Sequence, residues 1–199
     1  GHQLDLPVEQ RRSIQAKQGP GVFGIDMKIV GEDGVELPWD GKTSGELLVR
    51  GHWVVEQYIK GEKSPLVNGW FPTGDVATID ADGFMNITDR AKDVIKSGGE
   101  WIGSIDIENI AMAHPAVLMA ACIAARHPKW DERPLLVVVK KPNAEVSRDE
   151  LLAFFDGKIA KWWTPDDVVF VDAIPLGATG KMLKNRLRDL YQDHLLAPA

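Results

Sequence analysis

Four short segments of this 199-residue sequence carry residue types and spacings unlike plain scaffold, and each by itself leaves its chemistry open. In PTGD, residues 72–75, Asp75 follows a Thr-Gly pair, and its carboxylate could accept two hydrogen bonds from a vicinal diol such as a ribose. Taken alone, the tetrapeptide is a weak signal and fits a plain Asx turn better. DRAKD, residues 89–93, alternates carboxylate and base, a pattern that by itself suits a solvated loop. KSGGEW, residues 96–101, sets Gly98 and Gly99 where a backbone must turn sharply or approach a ligand closely, and a simple hairpin turn would use the same pair. PLGATGK, residues 175–181, ends on Lys181 at the expected start of a helix. A cation there opposes the helix macrodipole by a few tenths to about 1 kcal/mol, so Lys181 is expected to meet an anion. The segment lacks the G-x-x-x-x-G-K-[ST] spacing of a phosphate-binding P-loop.

Composition narrows the ligands. With 44% hydrophobic and 26% charged residues the chain is ordinary for a soluble globular protein. The net charge of −6 argues against broad binding to nucleic acid or anionic lipid. The sequence through Arg90 is acidic and the remainder nearly neutral, which fits a boundary near residue 90. Cys122, the one cysteine, sits in the apolar run VLMAACIAA and reads as a buried small hydrophobe. The scattered histidines show no zinc-ligand spacing, and no protein-bound transition metal is expected. No apolar run reaches the roughly 18 to 20 residues of a membrane span. The start, GHQLDLPVEQ, lacks the pattern of a signal peptide, so a reducing, cytoplasmic setting is the default expectation.

The elements that must position these residues divide into two kinds. Between Gly24 and Arg90, GIDMKIV, VELPW, ELLVRGHWVVEQYI and NGWFPTGDVATIDADGFMNITDR read as extended pieces separated by the turn segments GEDG, DGKTSG and ADG. Beyond residue 100 the period changes. Ser104 is expected to cap a helix that buries Ile107, Ile110 and Ala111 and stops at His114-Pro115. VLMAACIAA and RPLLVVVKK read as strands covered on both faces. Ser147 and Glu150 form a capping box opening a helix with Leu151, Phe155, Ile159 and Trp162 on one face, ended by Pro165. DDVVFVDAIP reads as a strand. GKMLKNRLRDLYQDHL reads as a last helix with Leu183, Leu187, Leu190 and Tyr191 inward. The expected class is α+β: a β-rich subdomain, then a small α/β domain with a mixed sheet and helices.

The order and spacing of TGD, DRAKDVIKSGGEWIGSIDIEN, HPAV and PLGATGKMLKNRLRD resemble the adenylate-forming (AMP-binding) acyl-CoA synthetase family. ELPWDGKTSGELLVRGHWV and KWWTPDDVVFVDAIPLGATGK point to its medium- and long-chain fatty acyl-CoA ligase branch. The resemblance runs from about Gly21 to Tyr191. It implies the C-terminal portion of a larger ligase: residues 1–89 as the last, distorted-barrel-like subdomain of the large domain, 90–93 as a hinge, and 94–199 as a small mobile domain. The upstream phosphate loop, the magnesium-binding glutamate and most of the acyl pocket do not occur here, so the fragment alone is expected to be inactive.

In that family a carboxylate attacks the α-phosphate of Mg2+-ATP, the small domain rotates, and coenzyme A then displaces AMP. The resemblance implies that Asp75 holds the ribose hydroxyls and Arg90 the ribose-phosphate end of the nucleotide. It makes Lys181 the catalytic lysine bridging carboxylate and α-phosphate, and Lys92 the hinge with a further place beside the nucleotide. Lys96, Gly98, Gly99, Glu100 and Trp101 would form the loop serving nucleotide or coenzyme A in the thioester-forming state. The implied partners are ATP, a fatty acid, coenzyme A and the rest of the N-terminal domain, with no nucleic acid and no metal ligand in this chain. Two other readings share these motifs. One is a non-catalytic binding or interaction module; the other is an adenylating enzyme with a different acceptor, as in peptide-synthetase adenylation domains or luciferases.

Overall fold

A computed structural model describes residues 5–196. Gly1, His2 and the extreme ends of the two expected domains lie outside the described residues. The chain divides between Lys92 and Asp93 into two compact units.

The first unit opens with a helix that the sequence reading does not anticipate, α1 (Val8–Gln15), none of whose residues is buried. Its strands are β1 (Gly19–Pro20), β2 (Ile25–Val30), β3 (Gly45–Gly51), β4 (Phe71–Ile79) and β5 (Phe84–Arg90). They form one antiparallel sheet in the order β1-β5-β4-β3-β2. Among the described residues the sheet is open, with β1 and β2 at its edges, so the barrel-like expectation is replaced by a five-stranded open sheet. Ile29, Leu47, Ala77 and Ile79 form its core, packed with Met27, Leu37, Val49 and Met85.

Two expected strands in this unit are corrected. VELPW contributes only an isolated bridge from Glu36 to Val30. ELLVRGHWVVEQYI stays in the sheet only as far as Gly51, where the backbone runs against Gly24: a Cβ there would lie 2.1 Å from the Gly24 carbonyl oxygen. Beyond that approach the segment leaves the sheet, and Trp53, Tyr58 and Ile59 are exposed. The ADG turn is as expected. Gly83, at φ +80, donates its N–H to the Asp80 carbonyl between β4 and β5.

The second unit contains β6 (Ile95–Ser97), β7 (Glu100–Ile102), α2 (Ser104–Met112), β8 (Val117–His127), β9 (Asp131–Lys140), α3 (Arg148–Ala153), β10 (Asp167–Phe170) and α4 (Lys184–Tyr191). β9 pairs antiparallel with β8 and with β6, and parallel with β10. The continuous apolar runs follow from burial on both faces. Cys122, Leu136 and Val138 pack with Ile107 of α2 and with Leu151 and Phe155, while Ala121, Ile123, Leu135 and Val137 pack with Leu187 of α4. Leu187 is 1% exposed, and its truncation to alanine is expected to cost about 2–5 kcal/mol.

Three helix expectations change here. Ser104 is the first helical residue rather than the cap; Gly103 holds the cap position and no side chain caps α2. The Ser147–Glu150 capping box forms, but α3 ends at Ala153, and Gly157 at φ +73 turns the chain out of the helical path. Trp162 is consequently exposed, and Trp163 packs in its place. The last helix starts at Lys184 rather than beside Lys181, and Leu190 is 70% exposed where an inward position was expected. Among the described residues no helix is long and apolar enough to cross a membrane.

Candidate functional site

Asp75 and Arg90 are paired residues on adjacent antiparallel strands, β4 and β5. Gly74, at φ +78, bends the chain just before Asp75, and the ladder has a register shift just after it, between Val76 and Ala77. The Thr73 hydroxyl donates to the Leu47 carbonyl and accepts from the Asp75 N–H, at 3.0 and 3.1 Å. PTGD is therefore an irregular strand segment rather than a free turn. The Arg90 Nε lies 3.2 Å from the Asp75 Oδ1, with both side chains partly exposed. An exposed pair of this kind contributes little to stability, so both groups can be redirected to a ligand at small cost. Asp89 differs: it is buried, and its carboxylate accepts the Arg90 N–H at 2.7 Å. The solvated-loop reading of DRAKD thus gives way to the end of β5. Ala91 donates to the Gly74 carbonyl, and Lys92 next along the chain is exposed.

KSGGEW forms the β6–β7 hairpin. Ser97 pairs with Glu100, and Gly98 and Gly99 occupy the turn at φ +57 and +88, the two positive values that a two-residue type I′ turn requires. The turn is held from behind by the start of β9 and the residues leading into it. The Gly98 N–H donates to the Trp130 carbonyl at 3.0 Å, the Lys96 N–H to Glu132 at 2.8 Å, and the Arg133 Nη1 to the Ser97 hydroxyl at 3.2 Å. A Cβ on Gly98 would fall 2.9 Å from the Trp130 ring, whereas one on Gly99 would meet nothing within 4 Å. The Gly99 face of the turn is therefore the open one. Lys96 Nζ sits 5.2 Å from the centre of the Trp101 ring, a cation–π contact, and Glu100 is exposed.

Lys181 lies in a closed loop immediately before α4. The Gly177 N–H donates to the Lys181 carbonyl at 2.8 Å, Gly180 donates back to Gly177 at 2.9 Å, and Leu183 donates to the Pro175 carbonyl at 2.9 Å. An isolated bridge joins Leu176 to Met182. The backbone is fixed while the Lys181 side chain is exposed and, among the described residues, makes no ion pair.

The cation at the start of the last helix is Lys184, and it has the anion that the sequence reading sought for Lys181. Lys184 Nζ is 2.7 Å from Glu108 Oε1 and 2.6 Å from the Ser104 hydroxyl. Glu108 also accepts the Cys122 N–H at 2.8 Å. Sequence reasoning missed this cluster. The available signal was Glu108 in a helix position between the core residues Ile107 and Ala111, where a carboxylate is buried only with a partner.

Asp75 and Arg90 thus belong to the first unit; Lys96, Gly98, Gly99, Glu100 and Trp101 belong to the β6–β7 hairpin of the second, and Lys181 to the loop before its last helix. A cavity of about 560 Å³ lined by Lys140, Phe170, Asp172 and Tyr191 includes none of them. Among the described residues no cluster of His, Cys, Asp and Glu is arranged to hold a metal ion.

Residues 106–181 match the AMP-binding enzyme C-terminal domain family. The 3-methylmercaptopropionyl-CoA ligase of Ruegeria lacuscaerulensis is 58% identical over 191 residues, covering 96% of this chain and 35% of that protein. The medium-chain-fatty-acid–CoA ligase of Ectopseudomonas oleovorans is 53% identical, over 98% of this chain and 36% of that protein. Among solved structures, ATP-bound MatB from Rhodopseudomonas palustris superimposes with a TM-score of 0.76 at 32% identity, over 90% of this chain and 36% of that one. The chain spans about a third of the length of the curated relatives it matches.

Proposed function

Because the chain belongs to the adenylate-forming acyl-CoA ligases through their C-terminal portion, we propose that it forms part of an ATP-dependent fatty acid–CoA ligase. A fatty carboxylate oxygen attacks the α-phosphorus of ATP and the bond to pyrophosphate breaks, giving acyl-adenylate. The sulfur of coenzyme A then attacks the acyl carbonyl, its proton is lost, and AMP leaves. Magnesium accompanies the nucleotide, with no ligand assigned to it in this chain.

The observation that carries this reading is the uncommitted charge of Lys181 on a backbone fixed by three hydrogen bonds. The first step presses a carboxylate against a phosphate, and a preorganised ammonium offsets that repulsion most where charge builds in the transition state. Lysine suits the task as a compact point charge on a flexible stem. Asp75 would accept the ribose hydroxyls, and Arg90 would turn toward the phosphate end. Lys92 would be the pivot, absorbing a rotation of the second unit between the two steps. The Gly98-Gly99 turn would border the path of the coenzyme A arm, its open face allowing backbone close to the ligand, with Lys96, Glu100 and Trp101 flanking it.

A second acid is favoured by one observation. The 58% identical relative is a 3-methylmercaptopropionyl-CoA ligase, so a short thioether acid competes with medium- and long-chain fatty acids. The test is ATP–pyrophosphate exchange by the intact protein across saturated acids of increasing length and 3-methylmercaptopropionate. The fatty-acid reading expects the largest kcat/KM among the longer saturated acids. A maximum at the thioether acid would replace it, and no exchange with any acid would favour a non-catalytic module. Exchange without thioester formation from coenzyme A would indicate a different acceptor.

A further inference from the structure

The buried Lys184–Glu108 pair has no part in the reaction as proposed, yet it sits at the base of the loop that carries Lys181. Three contacts converge there. Lys184 Nζ reaches Glu108 Oε1 at 2.7 Å and the Ser104 hydroxyl at 2.6 Å, and Glu108 receives the Cys122 N–H of β8 at 2.8 Å. The side chains are only 10% and 7% exposed. A cation on the first residue of α4 also works against that helix's dipole, and the adjacent carboxylate reverses the local balance. Lys184 is three residues from Lys181, and between them Leu183 closes the loop by donating to Pro175.

We infer that Lys184 and Glu108 are positioning residues for Lys181: the ion pair ties the start of α4 to α2 and β8, and so sets where the Lys181 loop can present its ammonium. The alternative, that the pair only stabilises the second unit, is separable. A merely structural pair would affect both half-reactions alike. A positioning pair affects adenylation, the step assigned to Lys181, because a misplacement of about 1 Å can cost on the order of 10²-fold in rate. This inference rests on the role proposed for Lys181, so its test includes a readout that needs no activity.

The test uses the intact protein with Glu108→Gln, which keeps the acceptor for Cys122 and every lysine, together with Lys184→Met and Lys184→Arg. Thermal melts establish that each variant is folded; the neutral pair Lys184→Met/Glu108→Gln substitutes if either single change unfolds it. Limited trypsin digestion of Glu108→Gln should cleave after Lys181 about tenfold faster than in the parent, with cleavage after the exposed Lys60 of the first unit unchanged. Lys184→Met should lower kcat for adenylation by about 10- to 100-fold with the KM for ATP little changed. Thioester formation from supplied acyl-adenylate should stay within about twofold, and Lys184→Arg should restore most of the loss. Unchanged cleavage at Lys181, a parallel rise at Lys60, or an equal fall in both half-reactions would overturn the inference. If the parent itself shows no pyrophosphate exchange, the functional reading fails, and the digestion result still decides whether the pair anchors the loop.

Discussion

Asp75 and Arg90 stand opposite one another across β4 and β5, their charged ends 3.2 Å apart, and Arg90 is two residues from the end of the first unit at Lys92. One strand pair thus carries an anion suited to a ribose diol and a cation suited to a phosphate. Neither is tied into the core.

If Asp75 accepts the ribose hydroxyls, Asp75→Asn should weaken nucleotide binding by roughly 10- to 150-fold, the span that corresponds to the roughly 1.5–3 kcal/mol of hydrogen bonds to a charged group. Arg90→Gln should weaken triphosphate binding more than nucleoside binding. Calorimetric titration of the intact protein with ATP and with adenosine checks both. Unaltered ATP affinity in Asp75→Asn would remove the residue from the site.

Gly98 and Gly99 should respond differently to alanine. Both positions have positive φ, so each substitution costs about 1–2 kcal/mol in backbone strain. At Gly98 the new methyl also meets the Trp130 ring at 2.9 Å, whereas at Gly99 it meets nothing. Gly98→Ala should therefore lower the melting temperature further than Gly99→Ala. Gly99→Ala should slow thioester formation selectively, since its methyl would project into the proposed coenzyme A path. Equal melting temperatures would show that the Trp130 ring yields freely to the added methyl.

The family resemblance was legible because it rests on short local segments whose backbone demands are severe, such as the glycine pair of KSGGEW. The paired strands VLMAACIAA and RPLLVVVKK were legible because burial on both faces removes polar residues from the run. The distortion came at helix ends. Nothing in GKMLKNRLRD separates a helix starting at Lys181 from one starting at Lys184; the decision lies in the closure of the loop by Leu183 and Pro175 and in the Glu108 contact, both tertiary. The same holds for Ile159 and Trp162. Their helical spacing was real, but α3 ends at Ala153 and the chain turns at Gly157, so Ile159 still packs on the core while Trp162 is exposed. That Glu108 would choose Lys184 among the basic residues has no local signature at all.

Asp40 offers a pH test away from the chemistry. Its carboxylate accepts the Lys42 and Thr43 N–H groups and the Thr43 hydroxyl, which hold its pKa down from 3.8 to about 2, with the Thr43 N–H the largest contribution. A depressed pKa means that the turn's contribution to stability is complete above the ordinary carboxylate value and lost as pH falls through about 2. Titration of the Asp40 carboxyl carbon by NMR should give a midpoint near 2, and Thr43→Val should move it upward. A midpoint in the ordinary range would mean the turn does not hold in solution.

Lys92 is exposed at the division between the units. If it is the pivot, Lys92→Pro fixes φ near −65° and should impair thioester formation more than adenylation, while Lys92→Ala, which loses only the side chain, should not. Both half-reactions on the intact protein provide the comparison. Matching behaviour of the two variants would place the pivot elsewhere in DRAKD.

In the proposed reaction Lys181 supplies the charge for adenylation and is not needed for thioester formation. The most direct test is Lys181→Ala in the intact protein, with the two half-reactions measured separately. Pyrophosphate exchange should fall by about 10²–10³-fold, with thioester formation from supplied acyl-adenylate close to that of the parent. An equal loss in both, or no loss in exchange, would contradict it.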